Sequence, residues 1–334
     1  MLTYTLRRLL LAIPTLLVIS FVIFMIVKLS PSDPTAGLPL TIPPEVREKI
    51  RESLGVNQPL IVQFGLWLKQ LVVNEPLHWI NQTFGTSFEV GQRIVSYQTR
   101  SPVMDIIIQR MPQTLYVVGT AYLVGIVIAL PIGIISAYRQ YSLFDQAGTF
   151  VSMIGFSVPP FFSGVLVIVI FSVQLGWLPS VYDTTLEVVD WETFKRQFMQ
   201  MVMPVMVLAL QTTAQISRFL RASMLDNLNQ DYVRTARAKG LRERTVVLLH
   251  VLRNSMIPVI TVIALGIPSI FGGAIITEQI FKVNGLGQWL IISIQAGDVP
   301  SVQTITFIFA VLIVLFNLIA DVLYGIMDPR IRYE

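Results

Sequence analysis

The sequence predicts an all-α integral membrane protein with six transmembrane helices. Three observations carry that prediction. Hydrophobic residues make up 54% of the 334 and charged residues only 13%, about half the charged share of a typical soluble domain. Six stretches, 9–28, 113–137, 147–175, 200–219, 256–277 and 303–327, reach the roughly 20 apolar residues needed to cross a bilayer. Lysine and arginine gather between and beside those stretches in a biased way, as topology requires.

The first stretch follows Arg7-Arg8 and runs from Leu9 to Val27. It is longer than the apolar region of a cleaved signal, and Lys28-Leu29-Ser30-Pro31 lacks a small-residue cleavage site, so it is expected to remain as a helix. Residues 29–112 are expected outside, as a small extracytoplasmic subdomain holding seven basic and seven acidic residues. Within it, Pro43-Pro44 precedes a short helix Glu45–Leu54 stopped by Gly55, and Leu60–Val73 reads as an amphipathic helix. The stretch His78–Arg100 is polar, with Gly85 and Gly91 as loop punctuation. Trp67, Trp79, Phe84 and Phe88 supply apolar surface to bury. Pro112 suits the first turn of the second span, where its missing N–H is not needed. Pro131, Pro159-Pro160, Pro204, Pro258 and Pro268 lie in or beside spans, where they kink helices for packing or flank a path that opens and closes.

Even parity of spans puts both termini on one side. Arg7, Arg8, Arg139, Arg330, Arg332 and the eight basic residues of Arg218–Arg253 would face the cytoplasm, thirteen of the 24 in the chain. The organisation expected is therefore a first span 1–28, the external region 29–112, a five-helix core 113–327 with a cytoplasmic loop 220–255, and a tail 328–334. Cysteine is absent, and the two histidines, His78 and His250, cannot form a histidine metal cluster. Polar residues inside spans are candidates for function. Gln211 and Gln215 share a face of the fourth span, and Thr212 stands beside them; together they are the candidate substrate path. Thr213 and Ser217 add to this polar segment, while Ser157, Ser163 and Ser172 read as packing residues. Asn317 and Asp321 share a face of the sixth span, with Asp321 expected to pair with Arg218 or Arg221.

The cytoplasmic loop is the most informative segment. Asp231 is placed as an N-cap, Tyr232–Lys239 are good helix formers, and Gly240 is a natural stop. A second helix, Arg242–Arg253, then leads into the fifth span. Asp231-Tyr232-Val233-Arg234-Thr235-Ala236-Arg237-Ala238-Lys239-Gly240-Leu241 resembles the cytoplasmic loop of bacterial ABC importer permeases. It is most similar to the dipeptide/oligopeptide/nickel branch. The resemblance extends to Arg7-Arg8-Leu9-Leu10, Pro31-Ser32-Asp33-Pro34, His250-Val251-Leu252-Arg253-Asn254, Glu278-Gln279-Ile280-Phe281, Gly285-Leu286-Gly287 and Asp328-Pro329-Arg330-Ile331-Arg332, almost the whole chain. It departs in three places. Arg234, Thr235 and Ala236 stand where the general motif has Glu-Ala-Ala, Asn284 replaces the usual proline, and Phe84-Gly85-Thr86-Ser87 lacks a preceding Gly-Asp-Leu.

The resemblance implies a type I ABC importer permease fold. It also implies that the helix Asp231–Gly240 docks into a cleft on an ATP-binding subunit, with Asp231, Tyr232, Arg234, Thr235, Ala236, Arg237, Ala238, Lys239 and Gly240 as coupling residues. Partners would be a second, related permease, two ATP-binding subunits, an extracytoplasmic substrate-binding protein and membrane lipid, with no nucleic acid. The place implied is the bacterial cytoplasmic membrane. The sequence has no G-x-x-x-x-G-K-[ST], so no cofactor is expected on this chain, and ATP and magnesium belong to the partners. Transport would proceed by alternating access, for di- or oligopeptides, or in the same importer class for nickel, glutathione or oligosaccharide. A membrane-embedded enzyme would need HExxH, GxSxG or paired intramembrane carboxylates, which the sequence lacks. An ion-coupled secondary transporter would show internal repeats and broken helices about a midplane ion site.

Overall fold

The computed structural model describes residues 2–29, 43–45 and 58–327. Most of the expected helix Glu45–Leu54, the Pro31–Pro34 motif and the tail 328–334 lie outside the described residues. The helices, in order, are α1 (Leu2–Leu29), α2 (Leu60–Lys69), α3 (Glu75–Phe84), α4 (Val103–Tyr138), α5 (Leu143–Ser157), α6 (Pro160–Val167), α7 (Trp191–Leu228), α8 (Asp231–Ala238), α9 (Glu243–Thr245), α10 (Leu252–Phe281), α11 (Leu286–Gln295) and α12 (Val299–Met327). Among the described residues there is no strand, only an isolated bridge between Val95 and Pro102. Among the described residues, five helices are long and apolar enough to cross a membrane, and α5 with the segment Pro160–Gln174, bent by 108° between them, reaches that length and apolarity as a pair.

The chain forms two compact units, one of Met1–Leu10, Gln113–Gly287 and Leu312–Glu334, the other of Leu11–Pro112 and Gln288–Val311. In the first, α7 is the central element and packs against α5 and α10. Asp190 caps it: its Oδ1 accepts from the Thr193 amide at 2.8 Å, and the Thr193 hydroxyl oxygen accepts from the Asp190 amide at 3.0 Å. Its 38 residues extend ~57 Å at 1.5 Å per residue, well beyond the ~30 Å hydrocarbon layer. One end therefore reaches past the bilayer toward α8. Gly125 and Gly133 of α4 allow the close approach of α7: a Cβ on Gly125 would meet the Thr212 side chain at 2.7 Å, and one on Gly133 would meet Leu220 at 2.9 Å.

The second unit encloses an aromatic core in which Phe24, Phe64, Trp67 and Phe307 interlock, with ring centroids 5.5–6.1 Å apart. Arg93 joins two helices there, since its guanidinium donates to Glu75 at 2.7 Å and to Asp105 at 2.7 Å. Those two carboxylates hold Arg93 more firmly protonated than an isolated arginine, against the opposing effect of its burial. Asp298, fully buried, accepts from the Ser96 hydroxyl, the Tyr97 amide at 2.9 Å and the Ser301 hydroxyl at 2.7 Å.

Several boundaries differ from the sequence expectation, each for a physical reason. Leu60–Phe84 is one helical run where a helix ending at Val73 and a polar loop from His78 were expected. It passes through a π-helical turn Gln70–Asn74 just before Pro76, whose ring cannot donate back to the preceding turn. Gly85, at φ +66, ends it. The second span begins at Val103, nine residues ahead of Pro112. Its first turns carry Asp105 and Arg110, which mask the apolar pattern, but Asp105 is paired with Arg93 and the Arg110 guanidinium lies 4.6 Å from the Trp289 ring. The third stretch, 147–175, is not straight: Val158 is extended because a proline follows it, and Pro159 and Pro160 restart the helix in a new direction. Arg242–Arg253 is not a separate helix either. Glu243 begins a run through π-helical Val246–Val251 directly into α10.

Candidate docking helix and transport path

The short helix α8 is built to present one face. Its Val233 and Ala236 are buried, 0% and 6% exposed, in a cluster with Leu220, Val246 and Val251. The opposite side leaves Tyr232, Arg234, Thr235, Ala238 and Lys239 exposed. Gln230, not Asp231, occupies the N-cap, with no side-chain bond to the helix; Asp231 is the first helical residue, where its charge still favours the helix dipole. The C-terminus closes as the glycine stop requires: Gly240 has φ +74, its amide donates to Arg237 O at 2.9 Å, and the Leu241 amide donates to Ala236 O at 3.4 Å. Tyr232 donates to Asn227 Oδ1 at 2.6 Å, tying α8 to the end of α7. Arg237 donates to both Glu243 oxygens at 2.7 and 3.2 Å, tying it to α9. The Glu243 carboxylate holds the Arg237 guanidinium more firmly protonated than usual. Arg234 is held only by a 3.5 Å contact with Asp231, and Lys239 makes no ion pair among the described residues, so these two carry the most weakly engaged positive charge on this surface.

Of the three candidate path residues, Gln211 and Gln215 stay together on one half-buried face of α7. Thr212 does not join them. It is 8% exposed, packs against Gly125, and its hydroxyl returns to Leu208 O at 3.4 Å. Thr213 likewise donates across to Gly125 O at 3.1 Å. Ser217 faces Ser152 at 3.4 Å.

Two polar nodes went unrecognised in the sequence. Asp145, at the start of α5 and 3% exposed, is held by Arg221 through Nε at 2.6 Å and Nη2 at 2.8 Å. Arg221 is thus not the partner of Asp321, and neither is Arg218: Asp321 pairs with Arg8 at 2.9 Å, a contact 313 positions apart in sequence that no local pattern announces. The second node explains the Glu278 and Gly285-Leu286-Gly287 motifs. Glu278 accepts from the Thr114 hydroxyl at 2.7 Å and the Gly287 amide at 2.7 Å, while Thr114 Oγ1 accepts from the Leu286 amide at 2.8 Å. Both glycines are needed, because a Cβ on Gly285 would sit 2.4 Å from the Glu278 carboxylate and one on Gly287 would sit 2.5 Å from Ile275 Cα.

Comparison with known proteins gives a consistent result. Residues 129–333 match the family described as binding-protein-dependent transport system inner membrane component, and residues 1–118 match its N-terminal region. The chain is 40% identical over 337 aligned positions, covering all of both chains, to the oligopeptide transport system permease protein AppB of Bacillus subtilis. It is 37% identical, again over all of both chains, to the glutathione transport system permease protein GsiC of Escherichia coli. Among solved structures it is similar to a chain of the inward-facing MetNI methionine ABC transporter. That match has a TM-score of 0.52 at 17% identity and covers 68% of this chain and 99% of the other. A chain of an amino acid ABC transporter is similar at TM-score 0.50 and 14% identity, covering 68% and 94%. These two likenesses concern the fold alone.

Proposed function

Because this chain belongs to the family of inner membrane components of binding-protein-dependent transport systems, we propose that it is one transmembrane half of an ATP-driven peptide importer. The observation that carries the peptide reading is the full-length 40% identity to an oligopeptide permease. The 37% identity to a glutathione permease supports a neighbouring reading, since glutathione is itself a small peptide. In this proposal the chain pairs with a second permease and two ATP-binding subunits, and receives its cargo from an external binding protein. It sits in the bacterial cytoplasmic membrane with both termini inside. It holds no nucleotide, and ATP and magnesium are bound by the partners.

The exposed face of α8 is the coupling surface. Arg234 and Lys239 would pair with carboxylates on the ATP-binding subunit, and Ala238 and Gly240 allow close approach. Ala236 acts from beneath, by seating the helix on Val233, Val246 and Val251. Movement of α8 reaches the spans by two routes: through Tyr232 into α7, and through the Arg237–Glu243 pair into the continuous run to α10. Gln211 and Gln215 offer amide groups to peptide backbone along the path.

The test is Gly240→Arg in the reconstituted complex, assayed for uptake and ATP hydrolysis together. A Cβ at Gly240 meets open space, so the arginine clashes with nothing in the isolated chain, although φ +74 strains it, and it projects where a partner would sit. Gly240→Asn is the control, because asparagine tolerates positive φ. Uptake per ATP is expected to fall at least about tenfold, the kinetic equivalent of ~1.4 kcal/mol, in the arginine variant and to stay near wild type in the asparagine variant. Full uptake by Gly240→Arg would remove the docking assignment.

A further inference from the structure

Arg218 stands one turn beyond Gln215 on the same face of α7, so Gln211, Gln215 and Arg218 form one stripe at i, i+4 and i+7. All three are half-buried. Arg218 lies roughly 15 Å of helix before Leu228, at 1.5 Å per residue, and is half-buried beside residues of α4 and α5. A half-buried charge is costly unless it is paired or serves a task. Among the described residues, Arg218 makes no ion pair. The nearby carboxylate of Asp145 is held by Arg221 through two hydrogen bonds and makes none to Arg218. The buried Nε of Arg218 has no hydrogen-bond partner. The guanidinium instead lies 4.8 Å from the Phe156 ring centroid, two residues before the bend at Val158, an arrangement that keeps the planar fork in position.

The small cleft in which Arg218 sits is lined by hydroxyls and a second guanidinium, from Ser136, Thr149, Ser152, Ser217 and Arg221. No carboxylate side chain lines it. Hydroxyls adapt as donors, and an arginine fork with free N–H groups matches a carboxylate in shape and charge. Because Asp145 already balances Arg221, the net positive charge of this lining is that of Arg218, which favours a visiting anion over a cation.

We propose that Arg218 is a specificity-determining residue of the transport path, reading a carboxylate on the passing cargo, which for a peptide is its free C-terminus. This rests on the peptide-importer reading above. In it, Gln211 and Gln215 bond to peptide backbone, and the C-terminal carboxylate reaches the guanidinium at the inner end of the stripe. An anionic lipid phosphate could offer related chemistry, and the experiment separates the two.

The complete complex, with its binding protein saturating, is reconstituted in liposomes. Uptake is measured for a peptide with a free C-terminus and for the same peptide as its C-terminal amide. Any preference of the binding protein is common to wild type and variant, and cancels when their acid-to-amide ratios are compared. Arg218→Gln is expected to reduce that ratio about tenfold, the effect of losing one charge-assisted pair, and Arg218→Lys to give an intermediate ratio, because it keeps the charge and loses the fork. If the glutamine variant fails to assemble, the lysine variant decides. An unchanged acid-to-amide ratio, with both cargoes slowed equally, would overturn the proposal. So would a defect that follows the anionic lipid content of the liposome and ignores the cargo. A wild-type complex that hydrolyses ATP yet moves neither peptide would instead overturn the peptide reading beneath it.

Discussion

Arg221→Met is expected to destabilise the permease by about 3 kcal/mol, within the ~3–5 kcal/mol typical of breaking a buried ion pair from one side. Asp145 is 3% exposed and depends on Arg221 for two charge-assisted bonds, with the Tyr141 amide at 2.9 Å as its third donor. Removing the guanidinium leaves a buried carboxylate without its counter-charge. Arg221 itself is 27% exposed, which admits some solvent and places the cost at the lower end of that range. The carboxylate also benefits from the first turn of α5, so it does not simply become neutral at no cost. The double variant Asp145→Asn, Arg221→Met should recover most of the loss, because no unpaired charge remains. Thermal unfolding of the purified protein, followed by tryptophan fluorescence, measures both. A double variant as unstable as the sum of the two single variants would show that the pair does not act as a unit.

Gly287→Ala is expected to be almost as damaging, at about 3 kcal/mol, the upper end of ordinary overpacking. The added methyl would lie 2.5 Å from Ile275 Cα and 2.9 Å from Glu278 Oε2. The first of these is backbone and cannot rotate away. Relief requires the start of α11 to move off α10, and that breaks the 2.7 Å bond from the Gly287 amide to Glu278. Glu278→Gln should do less harm at the same node. The amide oxygen can still accept from the Gly287 amide while the NH2 donates to the Thr114 hydroxyl oxygen, at the loss of one charge-assisted bond. Glu278→Ala leaves the Gly287 amide without its partner and should fall between the glutamine variant and Gly287→Ala. Comparing melting temperatures of the three variants ranks them, and an alanine at 287 that melts with wild type would show that the turn yields easily.

Much of this protein is readable from local pattern. Long apolar runs announced the spans because a bilayer demands length and hydrophobicity from each helix separately. The helix Asp231–Ala238 and its glycine stop were equally legible, since capping and positive φ act over a few residues. Even the stripe of Gln211 and Gln215 followed from helical spacing alone, and Arg218 could have been added by extending the same count one turn.

What escaped were features whose cause lies far along the chain. The second span began at Val103 because Arg93 neutralises Asp105, and Leu60–Phe84 continued because Glu75 found the same arginine. Asp321 found Arg8, and Asp145 found Arg221, in place of the pairings that nearness and charge suggested. Thr212 is enclosed, apart from Gln211 and Gln215, because Gly125 brings α4 close to it. The motif Gly285-Leu286-Gly287 was visible as letters, yet its reason, a buried Glu278 held by Thr114, needed the folded chain. The sequence by itself determined which segments are long and apolar enough to cross a membrane and where the short helix between two of them lies, because those depend on composition and local conformation. Only the tertiary structure decided which charges are spent on one another and which, like Arg218, remain available, because inside a low-dielectric fold the partner of a charge is set by proximity in space.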